Sequence, residues 1–140
     1  KEPQLLINCV AYTKVAHSKS EKIICNYLNN ILPKYLAKIC KTYKIILIHF
    51  STDYVFDGKK KGLYYESSKT SPINFYGATK LKGEKNILKQ KIKSFIIRIS
   101  WLYNIRFENN FINKVKFKIK KKINFKYIPN KYQMTQVFPL

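Results

Sequence analysis

Lys44-Ile45-Ile46-Leu47-Ile48-His49-Phe50 places five large apolar residues in seven positions, and Ser51-Thr52-Asp53 follows at once. A short apolar run rich in β-branched side chains and closed by polar residues reads as a strand buried on both faces. Leu5 to Val10 and Phe95 to Ser100 read the same way, and Ile123 to Ile128 is a last strand candidate. Between the first two runs, Ile24, Leu28, Ile31, Leu32, Tyr35, Leu36 and Ile39 recur near helical period within Ser18–Tyr43, where Pro33 predicts a kink or two consecutive helices. Further helices are expected over Asn74–Lys91 and Asn109–Lys118. Ser51 to Pro72, with two Gly and Lys59-Lys60-Lys61, reads as a loop with short turns. Apolar strands alternating with helices imply an α/β fold: a parallel sheet with helices on both faces. Such sheets bind ligands beyond the carboxyl ends of their strands. Chemistry is therefore expected in Ala11-Tyr12-Thr13, Ser51-Thr52-Asp53 and Trp101-Leu102-Tyr103.

The chain has 140 residues, enough for one domain with a core. Its 46% hydrophobic and 15% aromatic content argues against intrinsic disorder. The 28 Lys+Arg against 7 Asp+Glu give a net charge of +21, which invites a polyanionic partner. The rest of the composition argues otherwise. Twenty-six of the basic residues are Lys; Ile numbers 19 and Asn 12, while Ala and Gly number four each. Nucleic-acid binding would favour Arg, whose planar fork reads phosphates and bases, and has no use for Ile. An A+T-rich coding sequence inflates Lys, Ile, Asn, Tyr and Phe together. Most of the charge is read as a solvated surface, and no nucleic-acid partner is expected.

Cys9, Cys25 and Cys40 are odd in number and widely spaced, which fits reduced thiols in a cytoplasmic protein. Cys9, in an apolar run, is expected in the core. His17 and His49 stand alone, so no metal site is expected. No stretch approaches the roughly 18 uncharged apolar residues of a membrane span, and no membrane partner is expected. The chain starts at Lys1 and its only Met is Met134, so it is read as a segment of a longer product.

Tyr76-Gly77-Ala78-Thr79-Lys80 sets a phenol and an ammonium four residues apart, on one helical face. A phenol of pKa about 10 is a poor proton carrier at neutral pH unless a nearby cation stabilises its phenolate. That pairing suits protonation of a carbonyl oxygen while a hydride arrives at carbon, and a hydroxyl from Thr52 could give that oxygen a second hydrogen bond. Spacing alone is weak evidence: a chain this rich in Tyr and Lys yields roughly two such pairs by chance. Three occur, at Tyr65/Lys69, Tyr76/Lys80 and Tyr127/Lys131, and only the second sits on an expected helix behind a strand ending in Ser-Thr.

Ser51-Thr52-Asp53-Tyr54-Val55-Phe56-Asp57-Gly58, then Tyr64-x-Glu66, then Pro72-x-Asn74-x-Tyr76-Gly77-x-Thr79-Lys80-Leu81-x-Gly83-Glu84 resembles the dTDP-4-dehydrorhamnose reductases, which are extended short-chain dehydrogenases. Arg98-Ile99-Ser100-Trp101-Leu102-Tyr103, Asn109-Asn110-Phe111 and Asn8 to Val15 extend the resemblance over almost the whole chain. It implies a Rossmann-like fold and NADPH-dependent reduction of the C4 ketone of a dTDP-sugar to dTDP-L-rhamnose. Thr52, Tyr76 and Lys80 would be catalytic. Tyr76 would give the proton, Thr52 would orient the oxygen, and Lys80 would lower the Tyr76 pKa and bind the nicotinamide ribose. Ala11, Tyr12 and Thr13 would contact the cofactor, NADPH or alternatively NADH. Thr52, Asp53 and Trp101 would contact the sugar nucleotide. Packing is the competing role for Trp101, and capping a turn the competing role for Asp53.

The departures from the family pattern are equally specific. Gly58, Gly62, Gly77 and Gly83 form no Gly-rich turn to receive a pyrophosphate at a helix N-terminus, so the expected fold is a partial Rossmann-like sheet lacking the first β-strand and that turn. Residues 1–140 are thus expected to form one incomplete dinucleotide-binding domain. Val15-Ala16-His17-Ser18-Lys19 loses both acids of the family's Val-Asp-x-Ala-Glu. The family's Mg²⁺ at a dimer contact, and the homodimer itself, rest on resemblance alone. Other readings are a non-catalytic reductase-like regulatory or interaction subunit, another sugar-nucleotide epimerase or reductase, or an inactive decaying fragment.

Overall fold

The computed structural model describes residues 3–100, 116–117 and 120–121. The chain clusters into two compact units, Lys1–Ile99 and Ser100–Leu140. In the first, three strands, β1 (Leu5–Asn8), β2 (Ile46–Thr52) and β3 (Ser94–Ile99), pair in parallel in the order β1-β2-β3. The register sets Leu5 beside Ile46 and Asn8 beside His49, then Leu47 beside Ser94 and Thr52 beside Ile99. In the second unit Lys116, Phe117 and Lys120 are helical. The rest of the helix expected over Asn109–Lys118, and the strand over Ile123–Ile128, fall outside the described residues.

The first helical segment runs from α1 (Lys22–Asn26) through a π-helical turn (Tyr27–Ile31) into α2 (Leu32–Thr42). Pro33 explains the irregularity. It has no N–H to give the Asn29 carbonyl one turn back, so the chain winds wider there and the Leu32 N–H donates to Tyr27 O instead. The widened turn meets α3 (Phe75–Lys89), where a Cβ on Gly83 would lie 2.2 Å from that same Asn29 oxygen. Asn74 caps α3: its side chain accepts the Gly77 N–H at 2.8 Å.

Both αβ turns carry lysine in the left-handed region, Lys44 at φ 54° and Lys91 at φ 53°. These are the positions where helices ordinarily end on Gly. The terminating bonds are in place: the Ile45 N–H donates to Cys40 O, and the Lys91 N–H to Leu88 O. A side chain other than Gly at these positions costs backbone strain.

One face of the sheet carries α2 and α3. Along β2, Leu47, His49 and Ser51 point to the helices and are buried. Leu47 joins Ala37, Cys40, Ile45 and Ile87 in an apolar cluster, flanked by Leu6, Ile92 and Ile96. The other face is less covered by the described residues: Leu5, Ile7, Phe95 and Ile97 are exposed there. The described helices therefore supply one of the two expected layers. Cys9, expected in the core, is exposed because β1 ends at Asn8; Cys25 and Cys40 are buried, and all three are free thiols.

Candidate active site

The row of β2 that faces the helices changes character along its length, from Leu47 through His49 to Ser51. α3 answers it in reverse. Ile87 packs on Leu47, Glu84 meets Ser51, and Lys80 and Tyr76 lie beyond, all at helical spacing on one buried face. The apolar end holds the helix on the sheet; the polar end, at the carboxyl side of the strand, holds the candidate chemistry.

Tyr76, Thr52 and Lys80 are all buried there. Thr52 lies near enough to Tyr76 to favour its ionised form. The Thr52 hydroxyl donates to Asp53 Oδ1 at 3.1 Å and accepts the Tyr54 N–H at 3.2 Å. Burial raises the Tyr76 pKa, opposed by Thr52 and reinforced by Asp53. Burial thus favours the neutral phenol of Tyr76. Lys80 lies one turn further along α3. Its ammonium donates to the Phe50 carbonyl at 2.6 Å, and burial lowers its own pKa to about 8, with Glu84 opposing the drop.

Asp53 opens a 3₁₀ turn (Asp53–Val55), and its carbonyl accepts the Phe56 N–H at 2.9 Å. It is thus a turn residue, as its competing reading had it. Its carboxylate, pushed up by burial and held back by the Thr52 hydroxyl, still faces the same hydroxyl as Tyr76. The Tyr54 ring meets Tyr76 edge-on at 5.7 Å, and the Tyr54 carbonyl lies where a Cβ on Gly77 would be 2.1 Å away. Only glycine allows this approach of the loop to the helix.

Of the three residues expected at a cofactor, Tyr12 is buried, Ala11 half-buried and Thr13 exposed. Burial, then the charge of the Glu21 carboxylate, raises the Tyr12 pKa. Trp101 lies outside the described residues.

Several residues at the site escaped sequence reasoning. The Asn29 carboxamide accepts the Tyr12 N–H at 2.9 Å and donates to Tyr12 O at 3.2 Å and Thr79 Oγ1 at 3.3 Å. Thr79 in turn donates to Tyr76 O at 2.7 Å. This polar chain ties the segment after β1 to the first turn of α3. Beneath Lys80, Asn8 Nδ2 donates to His49 Nδ1 at 3.0 Å, so the neutral ring carries its proton on Nε2. Burial and the Lys80 charge hold the His49 pKa down at about 3. A third group joins Ser51, Glu84 and Arg98: the Ser51 hydroxyl donates to Glu84 Oε1, and Arg98 grips both carboxylate oxygens, Nη2 at 2.7 Å. Among the described residues no group of three or more His, Cys, Asp or Glu could hold a metal ion, and no helix is long and apolar enough to cross a membrane.

The chain is similar to known proteins. The chain matches the family model for the RmlD substrate binding domain over residues 1–133. It is 40% identical to the dTDP-4-keto-6-deoxy-D-glucose reductase of Streptomyces niveus over 114 residues, 81% of this chain and 39% of that protein. It is also 40% identical to the dTDP-4-dehydrorhamnose reductase of Mycolicibacterium smegmatis over 100 residues, 71% of this chain and 31% of that protein. The crystal structure of Bacillus anthracis dTDP-4-dehydrorhamnose reductase in complex with NADP superposes with a TM-score of 0.80 at 36% identity, covering 85% of this chain and 42% of that one. The chain therefore spans 31–42% of the length of these relatives. Its open parallel sheet is part of a Rossmann-like fold. On the family match and the shared architecture together, the chain belongs to the RmlD substrate binding domain family.

Proposed function

We propose that this chain is the proton-transfer segment of an NADPH-dependent reductase that converts the C4 ketone of dTDP-4-dehydrorhamnose to the alcohol of dTDP-L-rhamnose. The observation that carries the reading is the burial of Thr52, at the end of β2, together with Tyr76 and Lys80 on one face of α3. Hydride for C4 is what a bound NADPH contributes. Tyr76 then gives its proton to O4 as the ketone becomes the alkoxide, and Thr52 orients that oxygen by a hydrogen bond. Lys80 holds a cation beside the site; an ammonium has three donors, so the bond to Phe50 O leaves capacity for ribose hydroxyls. The sequence holds no Gly-rich turn, so pyrophosphate binding is not assigned to these residues. Asp53 completes the proposed sugar-nucleotide side among the described residues.

The test is to supply the full-length protein with NADPH and dTDP-4-dehydrorhamnose. The expected result is one NADPH oxidised per C4 alcohol formed, with a rate that falls as Lys80 deprotonates above a pH of about 8. Absence of turnover, with NADPH binding intact, would favour a non-catalytic subunit instead.

A further inference from the structure

The loop that joins β2 to α3 begins at the site, since Thr52 and Asp53 open it, and it is pinned at two separate places. Near its ends, the Tyr54 carbonyl rests against Gly77 and the Ser71 N–H donates to Val55 O at 2.9 Å. The middle of the loop is held from β3. Arg98 Nε and Nη2 donate to the Glu84 carboxylate at 3.0 and 2.7 Å, while Nη1 donates to the Glu66 backbone carbonyl at 3.3 Å. The same guanidinium stands 5.2 Å over the Phe56 ring. Phe56 packs on Tyr64 with centroids 4.5 Å apart, and the Tyr64 hydroxyl donates to Asp57 Oδ1 at 2.7 Å. The loop thus has a small packed centre of its own, seated on Arg98.

Charge balance does not require this reach. The buried Glu84 carboxylate needs a cation, and a lysine would provide one. Only a guanidinium can grip a carboxylate with two nitrogens, present a third to a carbonyl on another segment, and lay its flat face on an aromatic ring. In a chain with 26 Lys and two Arg, one of the two stands here.

We propose that Arg98 is a positioning residue for the substrate side of the site: paired with Glu84, it tethers the Phe56–Glu66 part of the loop and so sets the affinity for the sugar nucleotide, without touching a reacting atom. The affinity clause rests on the reductase reading; the tether does not.

Arg98→Lys separates the two roles, because a single ammonium keeps the charge beside Glu84 but cannot also hold Glu66 O and cover Phe56. Hydrogen exchange on the full-length protein should show amides of residues 57–66 exchanging about tenfold faster, with β2 and α3 unchanged. Glu66→Gln should leave exchange as it was, since the bond goes to the backbone. The KM for dTDP-4-dehydrorhamnose should rise about tenfold, while kcat and the KM for NADPH stay within about twofold. Unchanged exchange in residues 57–66 would overturn the tether. A fall in kcat with KM unchanged would overturn the positioning role. If the unsubstituted protein reduces no 4-keto sugar nucleotide, the functional reading and the affinity clause fail together, and the exchange experiment still decides the tether. Should Arg98→Lys not fold, Phe56→Leu leaves the Glu84 pair intact and should still speed exchange over residues 57–66; no change there would equally overturn the tether.

Discussion

α2 and α3 lie on the same face of the same sheet and bury quite different things. α2 buries Pro33, Ala37 and Cys40, the seam of a helix that exists to pack. α3 buries Tyr76, Gly77, Thr79, Lys80, Gly83 and Glu84, and only Ile87 is a large aliphatic residue. Desolvating an ammonium and a carboxylate costs several kcal/mol per ion, and apolar residues of similar volume would usually serve folding as well or better. A packing helix has no reason to carry that cost. The contrast is sharper because lysine is everywhere on this protein's surface, while among the described residues Lys80 is the buried lysine.

The comparison can be broken in several ways, and the largest expected effects are on stability. Gly77→Val and Gly83→Val would each drive a side chain into a backbone carbonyl, and each should cost about 3 kcal/mol or more in denaturant unfolding. Toleration of either would mean that α3 is not seated as described. Ile87→Ala, at the apolar end, should cost about 2–4 kcal/mol while kcat per folded molecule stays the same. Loss of kcat at full folding would erase the division between the two ends of the helix.

The pH dependence of stability comes next. The His49 pKa is lowered on folding, from 6.5 to about 3, so between those values the unfolded chain binds the extra proton. Stability should therefore fall by a few kcal/mol as pH drops from 6.5 toward 3. His49→Leu should flatten that part of the profile, and an unchanged acid limb would contradict the buried neutral ring. Lys80 acts in the other window. With its pKa lowered from 10.5 to about 8, its burial should cost most below pH 8, and stability should recover as pH rises from 8 toward 10.5. The smallest effect is at the ends of the two helices. Lys44→Gly and Lys91→Gly should each raise stability by about 1 kcal/mol by relieving a positive φ.

Much of this molecule could be read from its sequence where the signal was local. The apolar run before Ser51 became β2, the Asn74 cap opened α3, and Tyr76 and Lys80 fell on one face because helical geometry puts them there. What escaped depends on partners far along the chain. The Asn29 carboxamide acts on Tyr12, 17 residues away, and on Thr79, 50 residues away, through a π-helical turn for which Pro33 was the only local hint. Glu84 and Arg98 stood in the quoted motifs without a role, because an ion pair between a helix and the next strand leaves no periodicity to find. The Lys44 and Lys91 turns were hidden by the absence of Gly, the residue that usually marks them.

The central claim, that the polar end of α3 serves chemistry rather than packing, is tested most directly by Tyr76→Phe in the full-length protein. Turnover of dTDP-4-dehydrorhamnose with NADPH should fall by about 10²–10⁴-fold, with the unfolding midpoint nearly unchanged, because one hydroxyl is removed and the ring remains. Turnover that persists in Tyr76→Phe at the unsubstituted rate would contradict it.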